Sequence, residues 1–156
     1  MKRNVVIANR LREVLLNGRW IANTNFREQL ENTSYDQAIR KIGNLNSITQ
    51  LTFHVNYYIA GLLKVLKGGN LDIHDKYSFD LPQLESEVAW QRIVAEFLKN
   101  AEDFSMEVET MEEDRLDQSF VKEEYGTYLR NIEGMIEHAY YHLGQVVLIQ
   151  KMMNEN

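Results

Sequence analysis

Residues 90–111 read WQRIVAEFLKNAEDFSMEVETM, and the placing of their apolar side chains decides the fold. Trp90, Val94, Phe97, Ala101, Phe104, Val108 and Met111 recur at spacings of three and four, which stacks them along one side of an α-helix for more than three turns. A helix with one apolar stripe must bury it against other elements. The rest of the chain supplies three further stripes of the same kind.

Upstream, Ser47-Ile48-Thr49-Gln50 matches a capping box, and Ile48, Leu51, Val55, Tyr58, Leu62 and Val65 follow at heptad-like spacing until Gly68-Gly69 stops the helix. Nearer the start, Ile7, Leu11, Val14 and Gly18 fall at i, i+4, i+7 and i+11, predicting a first helix over about residues 4–17 that Asn17-Gly18 ends. From Trp20 to Gly43 the pattern weakens. That region reads as a connector with some buried aromatics and a short helix around Tyr35 to Ile42, after Thr33-Ser34. A polar stretch, Asn70 to Leu81, leads to the only proline, Pro82, which suits the first turn of the helix containing Trp90, with Asp80 as its cap. The acidic run Glu109 to Asp117 reads as the frayed end of that helix plus a loop, a solvated charged face. Gly126-Thr127 opens the last helix, whose stripe of Leu129, Ile132, Ile136, Ala139, Leu143 and Val146 continues to about Met153. Four long helices, no convincing strand and no internal repeat predict an all-α, four-helix bundle. The long connections leave the helix order open.

At 156 residues the chain is expected to form one domain over 1–156, large enough for a sizeable core. Hydrophobic residues at 44% and charged residues at 26% are ordinary for a globular protein. A net charge of -6, with no Lys/Arg run to offset it, argues against a nucleic-acid partner. No cysteine is present, which rules out disulfides, Cys-based zinc sites and a protein thiol nucleophile, and fits a reducing cytoplasm as the expected location. Asn9, Arg10, Arg12 and Glu13 interrupt any signal-peptide core at the start, and no stretch reaches the roughly 18 uninterrupted apolar residues of a membrane span. Neither export nor membrane insertion is expected.

Two of the four histidines, His138 and His142, lie four apart in EHAYYHLGQ (137–145), so a helix projects both from one face. Coincidence alone gives such a pair in roughly 8% of chains with this many histidines, so spacing is only a pointer. With Gln145 they form a stripe just behind the core seam of the last helix, and His54 lies similarly behind Val55 on the second. Helical bundles build metal sites from such side chains on facing helices, and three neutral imidazoles leave a coordination position open. Two familiar motifs fail. Ala139 follows His138 where a zincin needs its glutamate, and Leu51, Leu71, Met135 and Ala139 stand three before the four histidines where a di-iron bundle needs Glu. The plainer reading of each histidine is a hydrogen-bonded side chain on a half-buried face, and of His74, beside Asp72 and Asp75, an exposed loop residue. Tyr57, Tyr58, Tyr140 and Tyr141 read as core or interface residues, Tyr58 being of interest one turn beyond His54. Gly61, Gly134 and Gly144 read as close-packing positions that can also admit a ligand.

A lone histidine on the second helix, His54 in LTFHVNYYIAGLL (51–63), followed far downstream by His138 and His142 in IEHAYYHLGQVVLIQK (136–151), resembles the DinB/YfiT-like superfamily of DNA-damage-inducible helical bundles. The resemblance covers nearly the whole chain, and its H-x-x-x-H-x-G-Q element, with Gly144-Gln145, is fairly specific. It implies an up-down-down-up four-helix bundle with one divalent metal held by His54, His138 and His142. The ion implied is zinc or nickel first, then iron or manganese. It further implies a metal-dependent S-transferase that uses a low-molecular-weight thiol, such as bacillithiol or mycothiol, against a small electrophile. No catalytic residue or general base follows from it. The rival expectation is a non-catalytic bundle that binds a metal or small ligand. A homodimer through an exposed Tyr/Met surface on the first or last helix is also expected.

Overall fold

Short polar side chains just ahead of apolar runs set where the helices begin, because each accepts a hydrogen bond from an N–H that the first turn leaves unpaired. The computed structural model describes residues 1–155, and its regular structure is all helical. Helix α1 spans Arg3–Arg12 and continues through a π-helical turn, Glu13–Asn17, closed where Gly18 N–H donates to the Glu13 carbonyl. Helix α2 (Phe26–Glu31) is capped by Asn25, which accepts from Glu28 N–H, and α3 (Tyr35–Ile39) by a Ser34/Gln37 capping box. Helix α4 (Ile48–Leu66) starts at the Ser47/Gln50 box and is followed by Gly68 at φ +89°, a left-handed conformation that suits glycine. Helix α5 spans Glu87–Thr110, and α6 spans Tyr128–Asn154 behind the Thr127 cap.

The stripe that begins at Trp90 is buried as its spacing requires: Trp90, Phe97, Ala101, Phe104 and Val108 are fully enclosed, and Phe97 packs against Phe26 with ring centroids 5.1 Å apart. Burying each large side chain contributes roughly 1.5–3 kcal/mol. The Trp90 indole N–H donates to the Thr33 carbonyl at 3.0 Å, so the largest fully buried side chain leaves no polar group unpaired. Helix α5 packs against both α1 and α4, while α6 packs along α4 and against the α1 end. Asn4 donates to the Glu109 and Met111 carbonyls, Asn100 donates to Asn56 Oδ1, and Tyr140 donates to Glu13. No described helix is long and apolar enough to cross a membrane.

Three expectations need correction. Helix α5 does not begin at Pro82 under an Asp80 cap; Ser86 is the cap, accepting from Ala89 N–H at 3.2 Å. Residues 70–86 instead form a strap whose one helical piece is a short turn at Asp75–Tyr77, and neighbouring elements hold its backbone. The Tyr57 hydroxyl accepts from His74 N–H at 2.8 Å, and the Tyr35 hydroxyl donates to the Leu84 carbonyl at 3.0 Å. Second, the acidic run is more than a frayed end. Glu113–Asp117 forms a helical turn with Leu116 buried, and both Asp117 oxygens accept from the Arg3 guanidinium at the start of α1. Third, the connector holds the short helix α2, and of its aromatics Phe26 is buried whereas Trp20 is 87% exposed.

Candidate metal centre

Helix α4 brings His54, and α6 brings His138 and His142, to one spot. Ring centroids are 5.0 Å apart for His54 and His138, 4.7 Å for His54 and His142, and 4.4 Å for His138 and His142. One nitrogen from each ring lies within 4.8 Å of the others. Around a tetrahedral zinc, with bonds of about 2.0–2.1 Å, ligand nitrogens sit roughly 3.3 Å apart, so small ring rotations bring these three into range.

Two of the rings are held by partners that set their tautomers. His54 Nδ1 lies 3.2 Å from the Ser78 carbonyl, and His142 Nδ1 lies 2.6 Å from Gln145 Oε1. Both oxygens are acceptors, so each Nδ1 carries a proton and each Nε2 keeps its lone pair. This is how ligating imidazoles are usually oriented, by a hydrogen bond on the far nitrogen. The third ring has no such settlement. His138 Nε2 is buried and has no hydrogen-bond partner. A buried imidazole nitrogen left unpaired is costly unless something fills the gap, and the lone pairs left on His54 and His142 Nε2 offer no proton. A cation is a group that three such imidazoles could hold.

Electrostatics keep the rings neutral, the form that binds metal. Burial lowers the pKa of His138 to about 4, with the nearby His142 and His54 adding to the effect. His54 is lowered by burial and by His142, against the Ser78 hydrogen bond and Asp75, and His142 is lowered by burial against the Gln145 hydrogen bond. Phe79, from the strap, stacks on His54 with centroids 4.0 Å apart and planes only 8° from parallel, closing one side of the site.

The three histidines named from the sequence are therefore brought together, and His74 is not among them; it lies exposed in the strap. Tyr58 lies between the cluster and the strap, its ring 5.2 Å from both His54 and His138, and its hydroxyl donates to Asp75 Oδ1 at 2.7 Å. Burial and that bond push the Tyr58 pKa up, so the phenol stays protonated. Tyr140 is likewise pushed up by burial and by donating to Glu13. Gly61 is a close-packing position, since a Cβ there would lie 2.3 Å from Ile73 Cγ2 of the strap. Gly144 faces open space, which removes a packing role for it. Gly134 lines a cavity of about 780 Å³ that reaches His138 and Tyr58 and is walled by Leu62, Leu71, Met135 and the strap. The sequence reading gave no role to Ser78, Phe79 or Gln145; Gln145 alone carried a signal, standing three residues beyond His142 on its stripe.

No family model matches the chain, and no curated protein and no solved structure matches it.

Proposed function

We propose that the chain is a mononuclear metal-dependent enzyme of the DinB/YfiT-like kind, a thiol S-transferase in which His54, His138 and His142 hold one divalent first-row cation. One observation carries the metal: the buried His138 Nε2, unpaired, in a cluster whose ligand nitrogens lie within 4.8 Å. The donor set, three neutral imidazoles and no thiolate or carboxylate, suits zinc or nickel, with iron or manganese further down the order. The helix order of that family is supported by residue pairs along the long helices. Asn56 with Asn100 and Lys67 with Asp103 run α4 and α5 the same way, whereas His54 with His142 and Tyr58 with His138 run α4 and α6 oppositely. Arg10 with Glu133 and Glu13 with Tyr140 run α1 alongside α6, which supports an up-down-down-up order of α1, α4, α5 and α6.

When bound, the cation supplies Lewis acidity that lowers a thiol's pKa and holds the thiolate beside its target. The chain's residues supply the setting: Ser78 and Gln145 fix two imidazoles, Phe79 covers one side, and the cavity leads small molecules to His138. In the transfer, the thiol gives up its proton to solvent water, its sulfur forms a bond to an electrophilic carbon, and the leaving group departs with its electron pair. Without a cysteine, the nucleophile is supplied by the cosubstrate.

The test is metal analysis of protein purified without added metal. About one equivalent is expected in the native chain and almost none in His138→Ala; equal metal in both overturns the reading. A thiol panel with a chloro-aromatic electrophile should then show metal-dependent conjugation. Silence across the panel from metal-loaded protein favours the second reading, a non-catalytic bundle. Tyr141, 65% exposed, and Leu148, 56% exposed, stand seven apart on α6 and offer the homodimer surface in either case.

A further inference from the structure

We propose that the cavity beside the three imidazoles takes an elongated small molecule with an oxyanion head, the head seated at Arg130 and the other end reaching His138. The orientation rests on the metal reading above; the charge preference does not. At about 780 Å³ the cavity is of ligand size, and its walls include apolar Leu62 and Met135. Its lining holds two cations, Arg130 and Lys76, against one carboxylate, Asp75, which already accepts from the Tyr58 hydroxyl. That balance is opposite in sign to the chain as a whole, whose net charge is -6.

Arg130 is available to a ligand. Among the described residues its only ion pair is with Glu137, at 3.2 Å, with both side chains 64% exposed, and Glu137 does not line the cavity. Exposed pairs of this kind hold weakly, so the guanidinium can turn to an incoming oxyanion at little cost. Gly134 keeps the space beneath it clear: a Cβ there would meet nothing within 4 Å except Arg130 Nη1, at 3.8 Å. A guanidinium engages carboxylate and phosphate oxygens through two parallel N–H donors, a geometry that neutral heads cannot match. Arg130 and His138 are eight residues apart on α6, roughly 12 Å along its axis, and both line the cavity, which sets the length of the occupant.

Calorimetric titration with octanoate, octyl phosphate and octanamide reads the head group on both metal-stripped and metal-loaded protein. Either oxyanion should bind about tenfold tighter than the amide, and the preference should fall to within about threefold in Arg130→Gln. Equal binding of all three probes, or an unchanged preference in Arg130→Gln, overturns the oxyanion site whatever the metal content. A second pair, 8-mercaptooctanoate against octanoate, reads the far end. The thiol acid should gain affinity only on metal-loaded protein and lose that gain in His138→Ala. No gain there overturns the orientation while an oxyanion preference for octanoate would still stand.

Discussion

Gln145 Oε1 accepts from His142 Nδ1 across 2.6 Å, one helical turn along α6, so the side chain that orients one imidazole of the cluster is carried by the same helix as the imidazole itself. The spacing of H-x-G-Q therefore has a mechanical content. Gln145→Leu leaves the ring free to turn and removes the acceptor that raises its basicity. Metal affinity should fall about 10–100-fold, measured by competition with a chelating dye, while Gln145→Glu, which keeps an acceptor at that position, should retain most of it. Unchanged affinity in Gln145→Leu would remove the orienting role.

The strap lies against α4 because Gly61 has no side chain. In Gly61→Ala the new methyl would sit 2.3 Å from Ile73 Cγ2, a branched side chain with little freedom to retreat. Helix propensity returns about 1 kcal/mol and overpacking costs about 1–3, so a net loss of up to about 2 kcal/mol is expected in chemical denaturation. Metal affinity should fall as well, because a lifted strap carries the Ser78 carbonyl away from His54. Pairing the change with Ile73→Ala should recover the affinity.

Metal-free protein should lose stability as the solution is acidified from about pH 6.5 to about pH 4. His138 titrates near 4 when folded and near 6.5 when unfolded, so across that window the unfolded chain binds more protons and stability rises with pH. His54 and His142, also lowered, act in the same direction. Urea midpoints at several pH values in the presence of a chelator check the slope, which should flatten in His138→Asn. A midpoint independent of pH in the native chain would contradict it.

Where α5 begins can be tested by its cap. Ser86→Ala removes the acceptor for Ala89 N–H and should cost about 1 kcal/mol, whereas Asp80→Ala, six residues earlier in the strap, should cost close to nothing. Thermal melts of the two variants decide between the two starting points.

The long helices and the shared face of His138 and His142 were legible because both follow from periodicity, apolar stripes at 3.6 residues and a pair one turn apart projecting from predictable faces, whereas the joining of His54 to that pair was implied by the resemblance. The capping boxes at Ser34 and Ser47 and the Thr127 cap were equally readable, since each depends on neighbours in sequence. Asn25 with Glu28 three residues later was the same kind of signal for α2, obscured by the weak stripe around it. The strap was not legible. Its conformation comes from Tyr35, Tyr57 and Gly61, which are remote in sequence, and its contribution to the site is the Ser78 backbone carbonyl, a group every residue carries. Pro82 misled for a related reason: its fixed φ suits a helix start and an extended segment alike.

One segment therefore does two jobs at once, since residues 70–86 wall the cavity through Ile73, Asp75 and Lys76 and also hold His54 through Ser78. Any guest that shifts this segment on entering changes the grip on the imidazole. By thermodynamic reciprocity, filling the chamber and loading the ion must then alter each other's equilibrium by the same factor.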